Sequence, residues 1–455
     1  MKAFTRLLLL FFFTLVTIKS NAQYVTLPDT NFRNFLISQY PSCFNGSKQL
    51  DTVCASSQIT TSINVSGLRI TDLTGIQYFK NLDSLNCSIN VTLKSLPPLP
   101  NSLTYLNCGV AAIISLPALP NSLSVLSCNN NNLGNLPSLP ASLTYLDCSF
   151  NYALGSLPVL PALLTYLSCE YNSLSILPTL PTSLTHLSCD ENNLDNLPTL
   201  PTSLTYLSCD NNNLSTLPTL PTSLISLYCA FNFLDSLHTL PASLTTLGCD
   251  NNSLKSLSNL PASLTTLGCD NNSLKSLPNL PASLTTLSCD NNTLDSLPAL
   301  PASLTTLYCN DNNIHCLPVL PNNLAILYAK KNHIACISNI PTSLTASNMD
   351  STFQVCTDIN NPNNCPILSI TGTTNAMTTT ASMQLFPNPS TGIVTINCPF
   401  TATGIKICGM EGKTVYETNS NNTTYTVDLS AQGNGVYVVQ ALSATGIVTQ
   451  KLVIQ

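Results

Sequence analysis

Charge is scarce in this chain. Only 8% of its 455 residues are charged, and its 15 lysines and arginines form no basic patch, so no nucleic-acid partner is expected. Histidine is scarcer still. His186, His238, His315 and His333 are scattered without metal-ligand spacing, and no nucleophile elbow accompanies them. No catalysis, cofactor or metal site is therefore expected. The mean hydropathy is nonetheless positive. Leucines at fixed places in a repeat account for it, and no transmembrane segment is expected in the mature chain. The one leader-like run is Leu7–Ile18, preceded by Lys2 and Arg6 and followed by Ser20 and Ala22. It is too short to span as a mature helix and reads as a secretory signal peptide, residues 1–22, cut after Ala22. No cysteine follows the run, which argues against a lipoprotein anchor.

What the chain has is repetition. PASLTTLGCDNNSLKSL occupies Pro241–Leu257 and recurs letter for letter at Pro261–Leu277, and PASLTTLSCDNNTLDSL follows at Pro281–Leu297. The step is 20 residues, with looser copies from Leu82 to Leu324. A period of this length signals a solenoid. Within one repeat, Leu284, Leu287, Cys289, Asn292, Leu294, Leu297 and Leu300 form the inward set. Leu287 and Cys289 alternate with Thr286, Ser288 and Asp290, as on a strand with one buried face. Pro298 and Pro301 of LPALP forbid helix on the return path and favour an extended run.

The spacing L-x-x-L-x-C-x-x-N-x-L resembles the shortest bacterial leucine-rich repeats, known from secreted effectors of enteric pathogens. The coil from Ile63 to Cys87, containing LTGIQYFKNLDSL, looks like the opening repeat of internalin-type proteins. The resemblance implies a mainly β fold: a leucine-rich repeat solenoid with a curved parallel sheet and an extended convex side. Thirteen strands are expected to start at Leu82, Leu103, Leu123 and their equivalents through Leu324, with two longer steps after Asn90 and Asn151. The asparagine column from Asn131 to Asn332 faces inward, its amides bonding backbone at the bends. Ala111 breaks that column and should mark a weaker rung.

Of the 20 cysteines, twelve form one column: Cys87, Cys108, Cys128, Cys148, Cys169, Cys189, Cys209, Cys229, Cys249, Cys269, Cys289 and Cys309. Stacked strands lie about 4.8 Å apart with parallel Cβ vectors, which does not suit a disulfide. The column therefore reads as buried free thiols, with a zinc column as the rival reading. Cys43 and Cys54 suit a bridge in an N-terminal cap, and Cys356 and Cys365 one in a C-terminal cap. Ala329 and Met349 end the column. Cys316 and Cys336 have no assigned partner.

The expected divisions are a leader at 1–22, an N-terminal cap at 23–60 with a helix capped by Asp29, and repeats at 61–345. A C-terminal cap follows at 346–370, then a threonine-rich linker at 371–382 and a last domain at 383–455. The last stretch alternates in the manner of a small antiparallel β-sandwich of about seven strands. It is similar to the C-terminal sorting domain of the type IX (Por) secretion system. The resemblance rests on Pro387, Asn388, Pro389, Gly392, Gly412, Lys413, Leu429-Ser430, Gly435, Val436, Tyr437 and the terminal strand with Lys451. It implies export through the type IX machinery and release or attachment at the cell surface. Cys398 and Cys408 depart from the family and invite pairing across neighbouring strands. The enteric effectors carry a ubiquitin-ligase domain after their repeats. Here the linker and sorting domain stand in that place, so the activity is not carried over.

With the inward positions assigned, the outward ones on the concave face remain for a ligand. One row holds Tyr105, Tyr145, Tyr166, His186 and Tyr206, and the next Tyr228, Tyr308 and Tyr328. Beside them lie Glu170, Asp190, Asp210, Asp250, Asp270 and Asp290, interrupted by Ala230, and then Phe150, Tyr171 and Phe231. Exposed tyrosines suit a protein partner and equally the stacking of sugar rings, while tyrosine also fits strand surfaces with no ligand at all. Carboxylates one rung apart repel by about 1 kcal/mol even in water. Either solvent screens them, or a cation such as Ca²⁺ bridges them.

Overall fold

A short repeat makes a short coil. The computed structural model describes residues 23–334, 337, 339–348, 383–409, 414–443 and 446–455. The expected leader, the linker and most of the C-terminal cap lie outside the described residues, as do Cys336, Met349, Cys356, Cys365, Gly412 and Lys413. The chain divides into two compact units, the division falling after Leu368.

From Leu103 onward each coil turns on a Pro-x-x-Leu corner, and at Leu82 Phe79 takes the place of the proline. The N–H of Leu284 donates to the carbonyl of Pro281 at 3.1 Å, and the strand Thr286–Ser288 follows. The strands therefore start two residues after Leu82, Leu103 and their equivalents, because the corner occupies the residues where the sequence pattern placed their beginnings. Fifteen such strands, from Ser62–Asn64 to Ala346–Asn348, stack into one parallel sheet in register. The last of them falls where the C-terminal cap was expected to begin. Its backbone pairing persists, with Ser347 opposite Leu327, after the buried leucines have ended. The corner serine adds a second tie: the Ser203 hydroxyl donates to the carbonyls of Thr182 and Leu184 of the preceding coil at 2.8 and 2.6 Å.

The core is columnar. Leu284, Leu287, Cys289 and Leu294 are fully buried, and each leucine so removed from water contributes about 1.5–3 kcal/mol. The twelve column thiols are free and buried. Cys209 donates to the carbonyl of Tyr228 at 3.4 Å and Cys189 to that of Ser208 at 3.3 Å. The asparagine column, which includes Asn90, binds two coils at once. The Asn212 amide donates to the carbonyls of Cys189, Cys209 and Asp210 at 3.0, 3.2 and 3.1 Å, while its oxygen accepts the N–H of Leu194 at 3.0 Å. At Ala111 this clamp is missing. The N–H of Leu93 bonds the carbonyl of Asn90 at 2.8 Å, just as that of Leu154 bonds the carbonyl of Asn151 at 2.7 Å, in the two coils with an extra residue after the asparagine.

The first coil is covered by the helices Thr30–Gln39 and Thr52–Ser57, which bury Leu27, Phe32 and Leu36. Asp29 fastens this cap. One carboxylate oxygen accepts the N–H of Phe32 at 2.8 Å, and the other accepts the N–H and hydroxyl of Thr71 at 2.7 and 2.8 Å. Burial pushes this carboxyl up, but the bonds from Phe32 and Thr71 outweigh burial and hold it below its usual range. A disulfide joins Cys43 to Cys54. Gly75 (φ 118°) is required, since a Cβ there would lie 2.5 Å from Leu27. Cys316 is also disulfide-bonded.

Among the described residues the second unit has seven strands in two antiparallel sheets. One sheet holds Gln384–Phe386, Ile393–Ala402 and Asn422–Asp428. The other holds Thr414–Thr418, Gly404–Gly409, Gly435–Ser443 and Gly446–Ile454. Val394, Ile396, Ile405, Ile407, Val439 and Leu452 are buried in its core. The pairing suggested for Cys398 and Cys408 does not occur. Both are free, because their strands belong to different sheets.

Candidate functional site

A parallel in-register sheet stacks like on like, so outward side chains of successive coils meet directly. Tyr145, Tyr166, His186 and Tyr206 fall opposite one another. Their rings form a ladder with centroid separations of 4.3, 4.3 and 4.1 Å and interplanar angles of 8–9°. Tyr228 stands in the neighbouring column, yet its ring closes the ladder at 5.7 Å, tilted by 46°. Tyr105 is cut off from the ladder by Val125. Tyr308 and Tyr328 form a separate pair at 5.1 Å. The structure thus brings five of the eight expected aromatic residues together.

The ladder is half-buried. Burial, the Tyr166 phenol and the Asp147 carboxylate push Tyr145 up to about 12, and burial raises Tyr166 and Tyr206. Burial lowers His186 against the opposing pull of Glu170. At neutral pH the ladder is consequently uncharged. The inner rings spend both faces on their neighbours, so the strip presents ring edges and hydroxyls.

The acidic row has a structural duty that its spacing did not reveal. Asp190 accepts the N–H of Asp210 at 2.8 Å, Asp210 that of Ala230 at 2.6 Å, Asp250 that of Asp270 at 2.8 Å and Asp270 that of Asp290 at 2.6 Å. Asp290 continues the series to Asn310 at 2.6 Å. Serine hydroxyls complete it: Ser188 donates to Glu170 at 2.6 Å, Ser208 to Asp190 at 2.7 Å and Ser288 to Asp270 at 2.8 Å. Amide and hydroxyl dipoles, rather than solvent alone, therefore oppose the mutual repulsion. Among the described residues no three histidine, cysteine or acidic side chains are grouped to hold a metal ion.

This arrangement predicts a pH dependence. Burial raises Asp190, Asp250 and Asp290, and burial with the neighbouring carboxylates brings Asp210 to about 7 and Asp270 to about 6. For an acid raised above its unfolded value of 3.8, the folded state binds protons more tightly. Its contribution to stability is complete below that value and is lost as pH rises through 6–7. Calorimetry should show the repeat unit melting at higher temperature at pH 5 than at pH 8, with Asp210→Asn flattening the difference. A melting temperature that rises with pH over this range would contradict the assignment.

Next to the acidic row runs a column that sequence reasoning missed as a conformational class. Phe150, Tyr171, Glu191, Asn211, Phe231, Asn251, Asn271 and Asn291 all adopt left-handed backbone, φ 51–55°. Its signal was present as the prevalence of asparagine, the non-glycine residue most at ease there. Aromatic residues are strained in this conformation, yet Phe150 stacks on Tyr171 at 4.3 Å and Phe231 is 53% exposed.

In the C-terminal unit the scattered motif residues converge. The Asn388 amide donates to the carbonyl of Lys451 at 2.7 Å, and its oxygen accepts the N–H of Val453 at 2.9 Å. Asn388, between Pro387 and Pro389, thereby clamps the last strand. Gly392 (φ 133°) passes so close to Ser430 that a Cβ would lie 2.7 Å from its Cα. The Tyr437 hydroxyl donates to the carbonyl of Gly433 at 2.6 Å, and Gly435 pairs with Ile454.

Comparison with known proteins gives the two units their affinities. The secretion system C-terminal sorting domain family matches residues 384–455. The leucine-rich effector YopM of Yersinia pestis is 31% identical, the alignment covering 72% of this chain and 95% of that one with a TM-score of 0.59. The functional domain of InlJ from Listeria monocytogenes, described as including a cysteine ladder, is 21% identical over 90% of this chain and 93% of that one, with a TM-score of 0.52. No curated protein matches the chain.

Proposed function

Because the chain belongs to the bacterial leucine-rich repeat proteins and ends in a type IX sorting domain, we propose that it is a non-enzymatic binding protein whose tyrosine ladder engages a protein partner, as in adhesion. The sorting domain marks it for secretion or attachment at the cell surface, and the leader is the segment proposed to carry it into the periplasm. The observation that carries the reading is the ladder itself. Four rings stacked at 4.1–4.3 Å form a rigid strip, already ordered before a partner arrives, which lowers the entropy lost on binding. The alternative, glycan capture, needs open ring faces, and the inner rings have none to offer.

The test is a screen of the secreted chain against surface proteins and glycans, repeated with Tyr145→Ala, Tyr166→Ala and Tyr206→Ala combined. Buried tyrosine anchors contribute about 2 kcal/mol or more each at an interface, so binding to the protein partner should fall at least a hundredfold while melting confirms an intact array. Loss of a glycan instead would select the alternative. Binding untouched by all three changes would remove the ladder from consideration.

A further inference from the structure

The charge around the ladder says what kind of protein it suits. No lysine or arginine occurs between Lys94 and Lys255, while acidic residues recur from Asp147 to Asp250. The stacked rings from Tyr145 to Tyr206 lie wholly inside that interval. Glu170, Asp190 and Asp210 flank them, bonded to serine hydroxyls and backbone amides. Among the described residues the ion pairs are Lys331 with Asp311 and Lys406 with Glu417, so none reaches the flank of the ladder. On the far side of the row, Phe231 and the Phe150–Tyr171 stack offer aromatic surface, over which guanidinium groups bind favourably.

We propose that the strip seats a cationic stretch of its partner, an arginine- or lysine-bearing protein segment, with its charges on Glu170, Asp190 and Asp210 and its stems along the aromatic edges. The proposal rests on the reading of the ladder as the binding face. Charge complementarity carries it: a sheet face without a cation over so many successive coils repels acidic partners and steers basic ones. The carboxylates, already crowded by burial and by one another, gain from an incoming positive charge.

The test uses the secreted full chain and short fluorescent peptides of alternating arginine–serine, glutamine–serine and glutamate–serine. Only the arginine peptide should bind, and the combined E170Q, D190N and D210N variant should weaken it about tenfold. Those amides keep the acceptor oxygens that hold the next coil, so the fold is retained. The control variant D195N with D235N, at exposed positions outside the row, should leave binding unchanged. Equal weakening in both variants, binding of the glutamine or glutamate peptide, or no binding at all would overturn the proposal. The ring triple separates the two readings. If it leaves arginine-peptide binding unchanged, the ladder reading falls and this proposal with it. If a partner from the surface-protein screen is lost with the ring triple yet kept by the acid triple, the ladder stands and the cationic preference falls.

Discussion

Replacing Asn212 with alanine should destabilise the repeat unit by about 3 kcal/mol or more, the cost of leaving buried polar groups without partners. The side chain makes three donor bonds and one acceptor bond to two coils and is itself buried. Its loss strips the N–H of Leu194 and leaves carbonyls at the bend with fewer donors, in a place water does not reach. Because a solenoid is held by contacts between neighbouring coils, the damage is local, and the array should split at that rung. Urea unfolding of the repeat unit should begin at lower denaturant than in the parent chain and gain an additional step. Asn213→Ala, at the exposed neighbour, should shift the midpoint by no more than an ordinary surface change. The reverse change, Ala111→Asn, supplies an amide that the column lacks there, in the manner of Asn172, which bonds Asn151, Cys148 and Cys169, and should raise stability by about 1 kcal/mol. An Asn212→Ala curve that overlays that of Asn213→Ala would show that the column is ornamental.

The contrast between those two asparagines also marks how far the sequence could be read. Leu287, Cys289 and Asn292 were legible as inward positions because repetition fixes their phase and strand alternation fixes their face. The roles of Asp190 and Asp210 were not. Their bonds run to amides one coil later, and such contacts exist only once strand register is set. The ladder was half visible: the row of Tyr145, Tyr166, His186 and Tyr206 could be placed, but not the tilt that lets Tyr228 join from the next column. Phe150, Tyr171 and Phe231 were placed beside the acidic row, while their left-handed backbone was concealed, since side-chain identity there is only a weak guide to φ. In the sorting domain, Asn388 was recognisable by its motif, but its partner, the backbone of Lys451 and Val453, carries no side-chain signature. Cys398 and Cys408 misled for a related reason: closeness in a strand pattern does not say which sheet each strand enters.

The thiol column should be chemically silent until the array opens. Burial pushes Cys87 up to about 12 and raises Cys209, Cys249 and Cys289 well above the ordinary value of 9.0. A rise of about three units cuts the thiolate fraction about a thousandfold, and burial denies the reagent a path in addition. With iodoacetamide at pH 8, peptide mapping of the native chain should find Cys408, which is half-exposed, modified first. Cys87 through Cys309 should remain untouched for as long as the array stays closed. In urea all twelve should react together. Cys209 alkylated in the native chain at the rate of Cys408 would refute the column as a sealed core. The consequence reaches export, because the protein passes to an oxidising side of the membrane, where thiols pair, with Cys43 and Cys54 already joined. Parallel neighbours in a closed stack cannot bridge without distorting the strands, but the same cysteines in an open chain can pair with any other. Refolding from urea should therefore succeed with a reductant present and fail with a thiol oxidant, through bridges that the stacked geometry forbids. Closure of the coils, rather than any low reactivity of cysteine itself, is what lets twelve thiols survive outside the cell.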